Sequence, residues 1–239
     1  GNKKTKAGTI LRELKFAEGD SLASPTLLDQ LERNRLLLLN LGIFTEANIS
    51  VANWGPAGRI QLLVKVTEGW YVYPVPILSL SDRNFNVWWN EFDRSFKRVN
   101  YGLDWSQLNL TGRADALKAT LQFGFTNRYE LAYRSPGLNR NRTLGLEASL
   151  SYSRAHELSY KTTANKLEFL KVRESWQIEQ VLASVTLISR PKLFISQSFT
   201  LEFRDNMVSD TIAKVLNPDY FLNSDTRQRH FSAVYAASF

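Results

Sequence analysis

Few residues here have the types and spacing that covalent chemistry needs. His156 and His230 lie far apart in the chain, with no H-x-x-x-H spacing to bring two imidazoles onto one metal, so loop or lumen positions are expected for both. Cysteine is absent, which removes a thiolate nucleophile, a thiolate metal site and a disulfide framework. Glu130 and Glu147 could share an interior as paired carboxylates, but pairing with Lys118 and Arg134 in an ionic network is the expected use. No G-x-S-x-G elbow and no glycine-rich phosphate cradle occurs. The sequence therefore points to no catalytic residue, no cofactor and no metal, and to a protein that is not an enzyme. The adjacent Trp88 and Trp89, with Tyr101 and Trp105, read as aromatic residues at a lipid interface; a carbohydrate platform is the alternative.

Whatever positions these residues is built from 239 of them, 44% hydrophobic, an ordinary share for a folded chain. The longest apolar stretch, Leu36 to Phe44, is interrupted by Asn40 and Gly42 and falls short of the roughly 18 residues a membrane-spanning helix needs. Strands that alternate could still cross a bilayer, since they keep mean hydropathy low. The net charge is +7 and the pI near 9.6, yet the 30 basic residues are mixed with 23 acidic ones. Only Lys3, Lys4 and Lys6 cluster, so a solvated mixed-charge surface is favoured over a polyanion site. The chain opens on polar Gly1-Asn2-Lys3, unlike a signal peptide.

Up to Gly69 the pattern is α/β. Thr5 is placed to cap a short helix carrying Ile10, Leu11 and Leu14, which ends before the turn at Gly19-Asp20. Ser24 with Pro25 predicts a second helix start, followed by Leu27, Leu28, Leu31, Leu38 and Leu39 at helical spacing and a stop at Gly42. Ala47, Ile49 and Val51, then Ile60, Leu62, Val64 and Val66, alternate as two strands around a turn at Gly55-Pro56 and Gly58. Two strands alone are marginal, so a third is expected before Gly1.

Beyond Gly69 the period becomes 2. Val99, Tyr101, Leu103 and Trp105 alternate with Asn100, Gly102, Asp104 and Ser106. Similar runs cover 117–125, 129–134, 144–153, 193–205 and 229–239. Eight strands are predicted, near 75–81, 98–109, 113–124, 127–134, 143–153, 176–188, 193–205 and 229–239, with a bulge between Ile178 and Val181. Their length of about ten residues and their charged polar faces favour a transmembrane barrel wall over a soluble antiparallel sandwich.

The order of several short motifs resembles the Omp85 family. Asn2-Lys3-Lys4-Thr5-Lys6, Ile10-Leu11-Arg12-Glu13-Leu14 and Leu38-Leu39-Asn40-Leu41-Gly42-Ile43-Phe44 are similar to its POTRA repeat. Asp82-Arg83-Asn84-Phe85-Asn86-Val87-Trp88-Trp89, Asn100-Tyr101-Gly102-Leu103, Asn109-Leu110-Thr111-Gly112-Arg113-Ala114-Asp115, Gly124-Phe125 and Tyr133-Arg134-Ser135-Pro136 are similar to its barrel start. Asn217-Pro218-Asp219-Tyr220-Phe221 and Arg227-Gln228-Arg229 fit Bacteroidetes-type relatives. Each motif is weak alone; the ordered set carries the likeness over essentially the whole chain.

The resemblance implies an α+β POTRA domain at 1–69, lacking its first strand, and an all-β antiparallel transmembrane barrel at 70–239, about half of the family's roughly sixteen strands. The family's later RGF-type loop motif does not occur here. A fragment of a larger barrel is favoured over a complete eight-stranded one, although Phe231, Ala233, Tyr235, Ala237 and Phe239 alternate up to the last residue. The implied activity is outer-membrane protein assembly without covalent chemistry, by templating a client strand on the edge of the first barrel strand, at Val75, Ile77, Ser79 and Ser81. Pro74 and Pro76 either weaken pairing there or mark the domain junction. The implied partners are nascent outer-membrane proteins, assembly-machinery lipoproteins and outer-membrane lipid, not nucleic acid. The implied location is a bacterial outer membrane with the first domain in the periplasm. The alternative is a barrel anchor or export pore for a passenger or a linked enzyme such as a lipase.

Overall fold

The computed structural model describes residues 2–22, 24–81, 85–90, 95–139, 143–172, 174–192 and 195–238. Asp82, Arg83 and Asn84 of the expected barrel start, and the terminal Phe239, lie outside them.

The front of the chain runs helix, helix, strand, strand. Helices α1 (Ala7–Glu13) and α2 (Leu27–Leu39) pack on a hairpin of β1 (Phe44–Trp54) and β2 (Ile60–Glu68). Leu27, Leu31 and Leu38 form one stripe of α2 and are buried with Ile10, Ile43, Phe44, Ala47, Ile49 and Val66, while Leu28 on the far side is exposed. Each of these side chains other than Ala47 contributes roughly 1.5–3 kcal/mol, enough to hold helices too short to persist alone. The buried Asn34 is the polar exception. It accepts the Lys15 N–H at 2.6 Å and donates to the Gln30 carbonyl at 2.7 Å, which ties the segment after α1 to α2.

Both helix starts differ from expectation. Lys6, not Thr5, occupies the N-cap of α1, because Thr5 is drawn into a buried polar cluster with Tyr71 and Asn109. Ser24 opens a 3₁₀ turn, Ser24–Thr26, and Thr26 stands at the N-cap of α2. Pro25 suits the first turn of either helix type, so its signal marks a start without setting the residue.

The rest of the chain is dominated by one eight-stranded antiparallel sheet. Its strands are β3 (Val72–Leu80), β4 (Val99–Leu108), β5 (Ala116–Gly124), β6 (Thr126–Ser135), β7 (Leu144–Ala155), β10 (Ile178–Lys192), β11 (Ile195–Val208) and β12 (Arg227–Ser238). They lie side by side in chain order, with β3 and β12 at the two edges. All eight predicted strands are present. Between β7 and β10 an unpredicted hairpin, β8 (Glu157–Thr163) and β9 (Lys166–Lys171), forms its own two-stranded sheet.

The expected bulge between Ile178 and Val181 does not occur; β10 pairs without interruption from Ile178 to Ser189 on both sides. Ile178 breaks the apolar alternation because its side chain is on the opposite face from Val181. There it packs with Val208, Ile212, Ala213, Leu158, Tyr160 and Leu170. Among the described residues no second sheet covers the eight strands, so the sandwich alternative does not form.

The connections at the two ends of the sheet differ. At the end that joins the front unit they are 109–115, 136–143 and 193–194. At the other end they are 81–98, 156–177 and 209–226, with Phe125 alone joining β5 to β6. The long ones carry α3 (Phe85–Asn90), the β8–β9 hairpin and a π-helix, Thr211–Leu216.

Candidate functional site

Alternation gives the sheet two unlike faces. Register places Tyr101, Leu103 and Trp105 beside Phe123, Leu121 and Ala119, then Tyr129, Leu131 and Tyr133, and onward through Leu150, Val185 and Leu201 to Ala233 and Tyr235. This apolar face is open: Phe231 is 82% exposed and Leu150 56%. Contiguous apolar surface on this scale is covered in a working protein.

The opposite face is polar and satisfies itself across strands. Asp104 accepts the Thr120 hydroxyl at 2.8 Å and pairs with Lys118 at 3.3 Å. Arg134 pairs with Glu147 at 2.8 Å, as expected; Glu130 pairs with Arg128 instead of Lys118, which sits two positions off its register. Ser149 meets Ser184 at 2.8 Å and Thr186 meets Thr200 at 2.9 Å. His230 faces this side, opposite Arg204, and His156 lies at the long-loop end, stacked on Trp176 at 3.8 Å.

Aromatic rings mark a boundary on the apolar face. Tyr101, Phe123, Tyr129 and Tyr152 follow one another at 6.1, 5.5 and 6.2 Å across β4 to β7, and Phe203 meets Phe231 at 4.8 Å on β11 and β12. Immediately beyond them, toward the long loops, the same face turns ionic. Tyr152 donates to Glu179 at 2.7 Å, and Asp205 accepts from Arg227 at 2.8 Å and Arg229 at 3.2 Å. Rings followed by charges are the side-chain order of a membrane–water interface. Of the four aromatics singled out from sequence, Tyr101 belongs to this line and Trp105 stands on the same face nearer the front unit. Trp88 and Trp89 are on α3; Trp88 is only 7% exposed, ringed by Phe85 and Phe96, and donates to the Ser95 carbonyl at 3.0 Å, while Trp89 is 42% exposed.

The edge strand β3 contains Val75, Ile77 and Ser79, with Ser81 just past its end, and all four share the polar face. The N–H of Ser81 donates to the Arg98 carbonyl at 2.9 Å and that of Leu108 to the Tyr71 carbonyl at 2.7 Å. Odd-numbered residues of β3 thus form the hydrogen-bonded pairs with β4. Val72, Pro74, Pro76, Leu78 and Leu80 turn their backbone groups to the free edge. At the other edge the Val208 N–H donates to the Thr226 carbonyl at 2.9 Å, so Arg227, Arg229, Phe231, Ala233, Tyr235 and Ala237 face outward, none of them proline. On both edges the outward-turned backbone belongs to residues of the apolar face. Antiparallel pairing therefore lets β12 meet β3 directly, or across an even number of further strands.

Below the sheet, the 109–115 connection receives the start of the chain. Asn109 and Thr9 are fully buried. Asn109 donates to the Thr5 hydroxyl at 2.8 Å and accepts the Ala114 N–H at 3.0 Å. The Gly112 carbonyl accepts the Lys6 N–H at 2.9 Å and the Thr9 hydroxyl at 3.0 Å. Glu68 accepts the N–H groups of Thr5 at 2.6 Å and Lys4 at 3.0 Å. Burial opposes the charge of Glu68, but these backbone donors outweigh it and hold its carboxyl at about 2. Asp115 behaves alike: burial raises it, while the Thr111 N–H and the Tyr133 hydroxyl keep it below the ordinary carboxylate range.

Sequence reasoning missed this joint, although the Asn109–Asp115 motif was visible; nothing in one chain says which buried polar groups will meet. It also missed the cluster at the far end, where Glu157 pairs with Arg98 at 3.1 Å and with Lys171 at 3.2 Å. The signal there was the turn Ala164-Asn165, whose two residues take left-handed φ of 50° and 61°, as a tight hairpin requires. Among the described residues no group of three or more His, Cys, Asp or Glu could hold a metal.

No protein-family model and no curated protein matches the sequence. Among solved structures, the chain is similar to BamA from Haemophilus ducreyi lacking POTRA domains 1–3, at 15% identity and a TM-score of 0.59, over 99% of this chain and 41% of that one. It also matches CdiB from Acinetobacter baumannii at 11% identity and a TM-score of 0.47, over 98% of this chain and 37% of that one. The chain thus spans well under half the length of these two structures. The fold is that of part of a BamA-like chain: a meander of antiparallel strands led by a small α/β unit.

Proposed function

We propose that the chain is part of an Omp85-type outer-membrane barrel, preceded by a POTRA-like unit at 1–69, and that it assembles outer-membrane proteins by non-covalent strand templating. The observation that carries this reading is the eight-stranded sheet with a self-satisfied polar face and, among the described residues, an apolar face that no second layer covers and an edge at β3 that no further strand pairs. Lipid is the covering such a face fits, and the polar face suits a wet lumen. The three long connections, 81–98, 156–177 and 209–226, all lie on the side away from the front unit, as extracellular loops do in such barrels, which supports a periplasmic location for that unit.

An open strand edge in hydrocarbon leaves each N–H and C=O unsatisfied, at a cost of several kcal/mol per group. A nascent barrel strand suffers that cost on entering the bilayer, and pairing with β3 relieves it by β-augmentation. Nascent outer-membrane proteins are the proposed clients, with membrane lipid and assembly lipoproteins as the other partners. Val75, Ile77, Ser79 and Ser81 stand at the non-hydrogen-bonded sites relative to an incoming strand, where Cα atoms approach to about 4.5 Å, within disulfide range. Because the chain has no cysteine, Ile77→Cys supplies a single thiol. It should form a disulfide with a cysteine in the last strand of an outer-membrane barrel undergoing assembly. Absence of the adduct throughout assembly would remove the templating reading.

A further inference from the structure

The free edge of β3 is unequal along its length. Near the front unit, the Val72 carbonyl is occupied by the indole N–H of Trp70, and Trp70 in turn accepts the Tyr73 hydroxyl at 2.9 Å. The next two outward-turned residues, Pro74 and Pro76, have no N–H. Only Leu78 and Leu80, toward the long-loop end, offer both a free donor and a free acceptor, and Leu78 is 80% exposed. The prolines cost the β3–β4 ladder nothing, since their nitrogens point away from β4. Their effect falls wholly on whatever pairs outside.

We infer that β3 is a half-length template: an antiparallel client strand pairs fully at Leu78 and Leu80 but only through its own N–H groups at Pro74 and Pro76, with the Val72 carbonyl already taken by Trp70, so that its release starts at the end nearest the front unit. This rests on the templating reading above and adds where on the edge pairing occurs. A client strand lying along Pro74 and Pro76 has carbonyls with no donor opposite them. They remain tolerable only where water reaches them, and the polar face beside this stretch carries Asp104, Lys118 and Thr120. The arrangement captures a strand without keeping it, whereas β12 has donors along its whole edge.

The test is a cysteine scan of β3 in the native protein, with an eight-stranded outer-membrane barrel bearing one cysteine in its last strand as the probe, that cysteine being moved along the strand. Ser79→Cys should give about tenfold more adduct than Val75→Cys at the best register of each, reflecting the lost hydrogen bonds. Adding Pro74→Ala and Pro76→Ala should bring Val75→Cys up to the level of Ser79→Cys and lengthen the life of the adduct-competent complex. Equal adducts at Val75 and Ser79 in the otherwise unaltered protein would overturn the half-length template while leaving templating intact. No adduct at either position would instead remove the templating reading itself. The scan of the unaltered edge decides the matter even where the proline variants fail to fold.

Discussion

Replacing Gly112 by alanine should detach the front unit from the sheet. Gly112 has a φ of +82°, and a Cβ built there would stand 2.3 Å from the Lys4 carbonyl oxygen, a backbone atom with no rotamer to relieve the clash. The left-handed conformation costs an alanine roughly 1–2 kcal/mol. The clash must then push the Lys4–Lys6 segment away and break the two bonds that the Gly112 carbonyl accepts from Lys6 and Thr9. At about 0.5–1.5 kcal/mol each, these bring the total to roughly 2–5 kcal/mol. Gly58→Ala is the control: its φ is +73° but nothing lies within 4 Å of the added Cβ, so it isolates backbone strain. Amide hydrogen exchange of Lys6, in the native protein in bilayers, reads the joint directly. Gly112→Ala should lower protection there about 30-fold or more, a loss of at least about 2 kcal/mol, and Gly58→Ala should leave it unchanged. Undiminished protection in Gly112→Ala would refute the joint as described.

Acid should loosen the same joint. Glu68 is held at about 2 against an ordinary 4.5, so its contribution is complete above pH 4.5, declines as pH falls and is lost below about 2; the protection of the Lys4 and Thr5 amides, taken relative to intrinsic exchange at each pH, should follow that course and stay constant over this range in Glu68→Gln. Leu150→Arg on the apolar face should cost roughly 2–4 kcal/mol of folding free energy in bilayers, against little for Ser149→Arg on the polar face, measured by denaturant titration into lipid vesicles. Leu38→Ala, at a fully buried position in the last turn of α2, should destabilise the front unit by roughly 2–5 kcal/mol, read by exchange of its amides, without altering strand registers in the sheet.

The features readable from the sequence were those that rest on period. Leu27, Leu31 and Leu38 announced a helix, and Tyr101, Leu103 and Trp105 announced a strand, because burial on one face writes itself as spacing. Boundaries moved where a tertiary partner outbid the local signal. Thr5 left its cap for Tyr71 and Asn109, and Ile178 broke alternation to pack on the π-helix. The candidate edge was legible as a proline-bearing strand, but which way Pro74 and Pro76 point depends on the pairing parity with β4, which spacing does not encode. The aromatic boundary was legible only in part. Phe123, Tyr129 and Tyr152 join Tyr101 through cross-strand register, while Trp88 was assigned a lipid-facing role from its type and is buried in a loop cluster.

The claim on which the rest depends is that the sheet is a membrane wall, with lipid on one face and water on the other. Single spin labels along β7, from Leu144 to Tyr152, in the native protein in bilayers test it most directly. Labels at Leu144, Leu146, Ala148, Leu150 and Tyr152 should be accessible to oxygen and shielded from a water-soluble nickel chelate. Labels at Gly145, Glu147, Ser149 and Ser151 should show the reverse. Loss of this two-residue alternation, with both sets equally open to the chelate, would contradict the account.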